Sequence, residues 1–226
     1  MFQGFPEGGL SFLRELAEHN DREWFEAHRT AWDAEIVPAM LEWCGALSER
    51  LRDAMPGLVF VPRVGGSIYR LNRDIRFSRD KRPYKTHVAA LLWDGGEKHD
   101  APAVYLHVAA SEVIFGGGIY SFEEARLERW RKLLHDGDSR ERLEAALAEA
   151  KKGGLKLEIS DRLQRPPRGF DPEGPEAELS TYKGLTLVKR AKPAAWLHTR
   201  DALDRAEQVA RAYAPLHAWM REELCG

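Results

Sequence analysis

Apolar residues recur at helical spacing at the beginning, in the middle and at the end of the chain. Positions three or four apart are apolar in residues 10–17, 34–55, 121–134 and 201–224. Pro38 either kinks the second of these segments or marks the first turn of a fresh helix, and Pro215 is where the last one is expected to break. A further helix is predicted from Asp138 or Ser139 to Gly153.

Two capping boxes predict helix starts. Asn20 is followed by Glu23, and Ser121 by Glu124, which is the spacing at which a cap and a third helical residue satisfy each other's backbone donors. We therefore expect Asn20 to cap a second helix and Ser121 to cap the middle one.

Shorter apolar runs between turn residues predict strands. They lie at residues 59–61, 68–73, 87–93, 104–109, 112–115, 155–159 and 185–190, and the sixth alternates like an edge strand. Short connections favour antiparallel pairing and a meander. The prediction is one α+β domain over residues 1–226, in which residues 1–56 are helical, residues 57–120 are rich in strands and residues 121–226 form a helix–strand–helix segment.

Three consecutive glycines follow the fifth predicted strand. Residues 116–118 are expected to form the bulged end of a hairpin. Glycine also lets backbone N–H groups approach an anion closely, so Gly117 and Gly118 are candidate ligand-binding residues.

Composition narrows the class of protein. The 226 residues are 43% hydrophobic and 31% charged, which is typical of a soluble globular protein, and no stretch approaches the length of a membrane span. A net charge of −2 argues against a surface that coats nucleic acid or membrane as a whole. Cys44 and Cys225 fit no metal or disulfide pattern, and the start resembles no signal peptide, so we expect a reduced cytoplasmic protein without membrane partners.

Positive charge is concentrated in residues 70–85, which read RLNRDIRFSRDKRPYK. Seven lysines and arginines stand against two aspartates there, a local excess of five. Arginine presents a planar fork of donors to carboxylate or phosphate, and lysine presents a point charge. The stretch therefore predicts an anion site, in which aspartates orient guanidinium groups and a tyrosine donates a hydrogen bond. The residues assigned to this site are Arg70, Arg73, Asp74, Arg76, Asp80, Lys81, Tyr84 and Lys85.

The alternative is a surface ion-pair network around a tight turn, in which each exposed pair contributes only about 0–1 kcal/mol. Tyr84 and His87 are the candidate catalytic residues, because either could handle a proton beside the cations. The positive form of His87 would be disfavoured there. His87 and His107 could also face each other as metal ligands, but no third ligand is evident, so neither a metal nor another cofactor is predicted.

The segment RDIRFSRDKRPYK at residues 73–85 resembles the signature of an uncharacterised family of bacterial and fungal proteins, domain of unknown function 2461. Three other pieces are similar to the same family in the same order: FLRELAEHNDREWF at residues 12–25, YLHV at 105–108 and FGGGIY at 115–120. The resemblance covers most of the chain and implies relatives of one domain. It implies no activity.

Two classes of function are consistent with the cationic stretch. The first is an enzyme acting on a phosphorylated or carboxylated small molecule. The second is a non-catalytic module that binds a nucleic-acid backbone or an acidic partner. The stretch could also be a structural staple, and the sequence leaves catalysis and oligomeric state open.

Overall fold

A six-stranded antiparallel sheet forms the centre of the fold. A computed structural model describes residues 2–226, and Met1 lies outside the described residues. The strands run in the order β1-β2-β3-β4-β6-β5, so β2, β3 and β4 form the predicted meander. Their bounds are β1 (Leu58–Val59), β2 (His87–Asp94), β3 (Ala103–Ala109), β4 (Val113–Ile119), β5 (Lys156–Leu157) and β6 (Leu185–Ala191).

Helices precede, interrupt and follow the strands, which confirms the predicted α+β class. Their bounds are α1 (Glu7–Glu18), α2 (Arg22–Ala31), α3 (Val37–Arg50), α4 (Glu124–His135), α5 (Gly137–Lys152), α6 (Ala177–Ser180) and α7 (Asp201–Trp219). One π-helical turn, Trp32–Ile36, joins α2 to α3, and another, Met220–Leu224, follows α7. Pro38 is the second residue of α3, and the backbone before it is already helical, so the π-helical turn lies directly on the N-terminal side of the proline.

One face of the sheet is closed by helices. The contacts run from α3 to β2 and from α7 to β4. Val88, Ala90 and Leu92 of β2 are at most 1% exposed, as expected for every second residue of a strand that meets the core. Burying a side chain of this kind contributes about 1.5–3 kcal/mol for the larger aliphatic residues. The alternate residues of the strands therefore belong to the opposite face.

The two capping boxes do not form as predicted. Asp21, not Asn20, caps α2, and its side chain accepts a hydrogen bond from the Trp24 N–H at 2.9 Å. The middle helix begins at Glu124, so Ser121 lies before it and no side chain caps it. Both predictions used only the spacing between a capping residue and a glutamate three positions later. That spacing does not decide which side chain caps the helix, and at α2 the neighbouring Asp21 does so.

Three further predictions differ from the structure. Residues 116–118 lie inside β4 and pair with both β3 and β6, so they are not the end of a hairpin. Residues 68–73 form only isolated bridges, because the chain turns there toward residue 84. Helix α7 continues through Pro215, with buried Leu216 and Trp219 holding the turn that follows in the core. None of the helices in residues 2–226 combines the length and the apolar character needed to cross a bilayer.

Gly117 is required by the packing of α7. A Cβ atom at this position would lie 2.4 Å from the ring of Tyr213, which is fully buried. We expect Gly117→Ala to lower the free energy of unfolding by about 1–3 kcal/mol, because overpacking displaces a ring that cannot move away. Urea titration measures the change.

The matched control is Gly137→Ala at the start of α5, where a Cβ would meet no atom within 4 Å. Alanine favours the helix by up to about 1 kcal/mol there, so stability should stay the same or rise. Equal stability of the two variants would show that Tyr213 does not need the space at Gly117.

Candidate functional site

The face of the sheet opposite the helices forms the floor of an open cleft of about 1030 Å³. His87 and Leu91 of β2 and Tyr105 and His107 of β3 project into it. The register explains why, since His107 pairs with Ala89 and Tyr105 with Leu91, which places these side chains on one face. Aromatic rings and apolar side chains with a few polar groups are the usual lining of a small-molecule site.

Two positions of β4 on the floor of the cleft have no side chain. Gly116 pairs with Tyr105, and Gly118 pairs with Ala103, so both glycines belong to the face that carries Tyr105. Gly118 has a φ of +135°, a conformation that other residues rarely adopt. The result is a trough along β4 in which a ligand can approach the backbone closely.

Two stacked imidazoles lie at the floor of the cleft. The rings of His87 and His107 are 4.1 Å apart between centroids and inclined by 21°. The Tyr105 hydroxyl lies 3.1 Å from Nδ1 of His107, a hydrogen bond whose direction depends on the histidine tautomer. Burial, with smaller contributions from Lys85 and from His87, lowers the pKa of His87 to about 4 and that of His107 to about 3. Both rings are therefore neutral at pH 7.

Cations surround Tyr69 at the β2 end of the cleft. The Nζ atoms of Lys98 and Lys85 lie 4.2 and 5.3 Å from the centroid of its ring. Lys85 donates to the Arg70 carbonyl at 2.9 Å, and Lys98 donates to the Gly66 carbonyl. Burial, Lys85 and Arg63, in that order, lower the pKa of Lys98, and the guanidinium groups of Arg63 and Arg70 both approach Gly65. We call Arg63, Arg70, Lys85 and Lys98 the cation cluster.

The cation cluster lacks neutralising carboxylates. Within residues 2–226, none of its four side chains forms an ion pair with an aspartate or glutamate. Burial lowers the pKa of Lys85, and burial together with Lys85 and Arg63 lowers that of Lys98. No carboxylate of the described residues therefore offsets the repulsion between the half-buried ammonium groups of Lys85 and Lys98. A bound anion would offset it.

The β6 end of the cleft is different. Arg190 lies between two glutamates, 2.7 Å from Glu112 and 2.5 Å from Glu158. Its charge is therefore neutralised within the protein. An anion entering the cleft is attracted to the β2 end.

Lys85 of the cationic stretch lines the cleft, and residues 72–83 form a projecting arm. Hydrogen bonds from the Arg73 N–H to the Pro83 carbonyl, at 2.8 Å, and from the Lys85 N–H to the Leu71 carbonyl, at 2.9 Å, close its base. Only Arg70 and Lys85 of the cationic candidates belong to the cation cluster. His87 also lines the cleft, and so do Gly117 and Gly118.

The aspartates of the arm neutralise several of its arginines. Asp74 binds Arg76 at 2.6 Å, and Asp80 binds Arg73 at 2.7 Å and Arg82 at 2.8 Å. These arginines hold the pKa of Asp80 well below its usual range, with Arg82 contributing most. A portion of the stretch is thus an ion-pair network, as the alternative interpretation of the sequence proposed.

Lys81 and Tyr84 also have partners within the protein. Lys81 donates to the Ile75 carbonyl at 3.0 Å. The ring of Tyr84 is buried, with its centroid 4.5 Å from that of Phe25, and it does not line the cleft. The structure therefore does not bring Arg73, Arg76, Lys81 and Tyr84 together around one anion.

Sequence reasoning missed Arg63, Tyr69, Lys98 and Tyr105. Arg63 and Lys98 lie in connecting segments, and only the fold brings them to Lys85. A signal existed for Tyr105, because it stands two residues from His107 and therefore on the same face of a strand. Among residues 2–226, no group of three or more His, Cys, Asp or Glu side chains has the arrangement of a metal site.

The chain belongs to the family described as conserved hypothetical protein (DUF2461), whose model matches residues 9–219. The match confirms the resemblance carried by the four sequence pieces. No curated protein and no solved structure matches the chain.

Buried histidines make stability depend on pH. His87, His107 and His217 all have a lowered pKa in the folded protein, chiefly because of burial. Below pH 6.5 the unfolded chain binds protons that the folded protein does not, so the free energy of unfolding falls as the pH drops from about 6.5 toward 4. Each such histidine adds about 1.4 kcal/mol per pH unit to the slope of unfolding free energy against pH in this range.

We expect His107→Gln to reduce this slope by about one histidine's share, measured by urea unfolding between pH 7 and 5. The exposed His19→Gln variant keeps all three buried rings and should retain the full slope. If His107→Gln leaves the slope unchanged, His107 is protonated in the folded protein.

Asn20 holds the base of the arm. Its side-chain amide donates to the Tyr84 carbonyl at 3.1 Å and accepts from the Tyr84 N–H at 3.0 Å. Asn20→Ala leaves both backbone groups without these partners, so we expect a loss of about 1–3 kcal/mol in unfolding free energy. Hydrogen exchange at the Tyr84 amide should also accelerate. The exposed Asn72→Ala is the control, and equal effects of the two variants would contradict the role of Asn20.

Proposed function

We propose that the protein binds a small phosphorylated or carboxylated molecule in the cleft, with its anionic group at the cation cluster. The observation that carries the proposal is the pair of lysines, Lys85 and Lys98, that line the cleft without a carboxylate partner among the described residues, with the exposed Arg63 and Arg70 close by at Gly65. An ammonium or guanidinium group bound to an anion forms hydrogen bonds that contribute about 1.5–3 kcal/mol each. Anion binding also removes the repulsion among the four side chains.

The shape of the site favours a small molecule. Lys85 and Lys98 are half-buried at the end of a cleft whose floor carries Tyr105, His107 and the trough over β4. A ligand with an anionic head can place its remaining atoms along this floor. Arginine and lysine together suit phosphate as well as carboxylate.

We propose His87 as the group that exchanges a proton with a bound ligand. It lines the same cleft, and the charge of Lys85 helps to lower its pKa. An anion that neutralises Lys85 would raise the pKa of His87 toward its ordinary value, so ligand binding would make the imidazole a better base. This is the route by which the site would support catalysis, with His87 as general base.

A thermal-shift titration tests the proposal. Inorganic phosphate is added at constant ionic strength, and then organic phosphates and carboxylates follow. Binding to the folded state raises the unfolding free energy, by about 2.7 kcal/mol at a hundred times the dissociation constant. Lys98→Met keeps most of the side-chain stem but removes the charge, so we expect about 10- to 150-fold weaker binding.

Two controls separate specific binding from general charge effects. Lys132→Met removes a lysine on α4 that is 74% exposed and paired with Glu128. Arg76→Ala removes an arginine of the arm. Both should bind phosphate as the unaltered protein does. If neither phosphate nor any carboxylate stabilises the protein, or if all three variants respond alike, the proposal is wrong.

A further inference from the structure

The arm carries an exposed aromatic ring among cations. Phe77 is 96% exposed, and its ring contact among residues 2–226 is with the Arg76 guanidinium, 5.9 Å from the ring centroid. A phenylalanine in this position contributes nothing to the core. The ring of Phe77 and the guanidinium group of Arg76 are both planar, and they face solvent together.

The arm is braced by its own ion pairs. Asp80 joins Arg73 and Arg82 across the arm, Asp74 joins Arg76, and Lys81 reaches the Ile75 carbonyl. These bonds restrict the backbone on both sides of Phe77. The ring is therefore presented in a limited set of positions before any partner arrives, which lowers the entropy cost of binding.

The arm keeps an excess of positive charge after this bracing. Five cations stand against two carboxylates in residues 72–83. Arg79 is exposed and forms no hydrogen bond or ion pair with the rest of residues 2–226. Arg76 remains 77% exposed although it is paired. A partner that meets this surface must supply negative charge.

We propose that the arm binds single-stranded nucleic acid, with Phe77 stacking on an unpaired base and Arg79 and Arg76 contacting phosphates. An aromatic platform beside a cationic track is the usual way in which proteins bind single strands without reading their sequence. In a duplex the bases stack on one another, so their faces are not accessible to the ring of Phe77. An acidic peptide would bind through charge and would not require an aromatic ring. This site is separate from the cleft and does not depend on the small-molecule ligand.

Fluorescence anisotropy with a labelled oligouridylate of about 12 nucleotides tests the proposal. Phe77→Ala should weaken binding about 5- to 150-fold, the range given by the loss of one stacked base. Because the ring is exposed, this variant should fold normally. Tyr120→Ala is the matched control, since Tyr120 is 71% exposed but lies at the end of β4, and it should leave the affinity unchanged.

Arg79→Ala tests the phosphate contact separately. Binding is measured between about 50 and 200 mM salt, and the slope of log affinity against log salt should become shallower by about 0.7, the share of one phosphate contact on a single strand. Lys132→Met, on α4 and paired with Glu128, should keep the slope of the unaltered protein.

Three results would overturn the proposal. The first is the absence of binding at 50 mM salt. The second is equal affinity of Phe77→Ala and the unaltered protein. The third is displacement of the oligonucleotide by duplex RNA, by a polyglutamate peptide or by anionic vesicles as efficiently as by unlabelled single strand, because those partners use charge without stacking.

Discussion

Burial of one face of the antiparallel sheet governs the other features of this molecule. Tyr213 of α7 fills the space above Gly117, and Trp43 of α3 lies 6.2 Å from Phe115 between ring centroids. Because side chains alternate along a strand, this packing sends His107 and Tyr105 to the opposite face. A slip of one residue would exchange the two sets, so the core also determines the chemistry of the cleft.

The positions of the carboxylates divide the cations into two groups. In the arm, Asp74 and Asp80 each stand two residues before an arginine that they bind, and these short contacts brace the loop. Around Tyr69, cations from three separate segments meet without an acid. The first arrangement stabilises a projecting element, and the second leaves a charge that an anion can neutralise. Both proposals follow from this division.

Local spacing predicts several elements well and others poorly. The predicted strand at residues 87–93 differs from β2 by one residue, because an apolar run that ends in turn residues has few alternatives. Residues 116–118 were predicted wrongly because glycine is unfavourable in strands. In the fold this preference is overridden, because the segment pairs with strands on both sides and because Tyr213 occupies the space where a side chain of residue 117 would lie. Asn20 is misread because its side chain fits a cap equally well, but it satisfies the backbone of Tyr84 instead.

The order of residues along the chain was enough to specify the α+β class, the meander of β2, β3 and β4, the family and the concentration of cations in residues 70–85. These depend on periodicity and composition, which are properties of neighbours along the chain. The three-dimensional fold was needed to show that Lys85 meets Lys98 and Arg63, while Arg73 and Arg82 meet Asp80. The physical reason is that charges act through space over a few ångströms, whatever their separation in sequence.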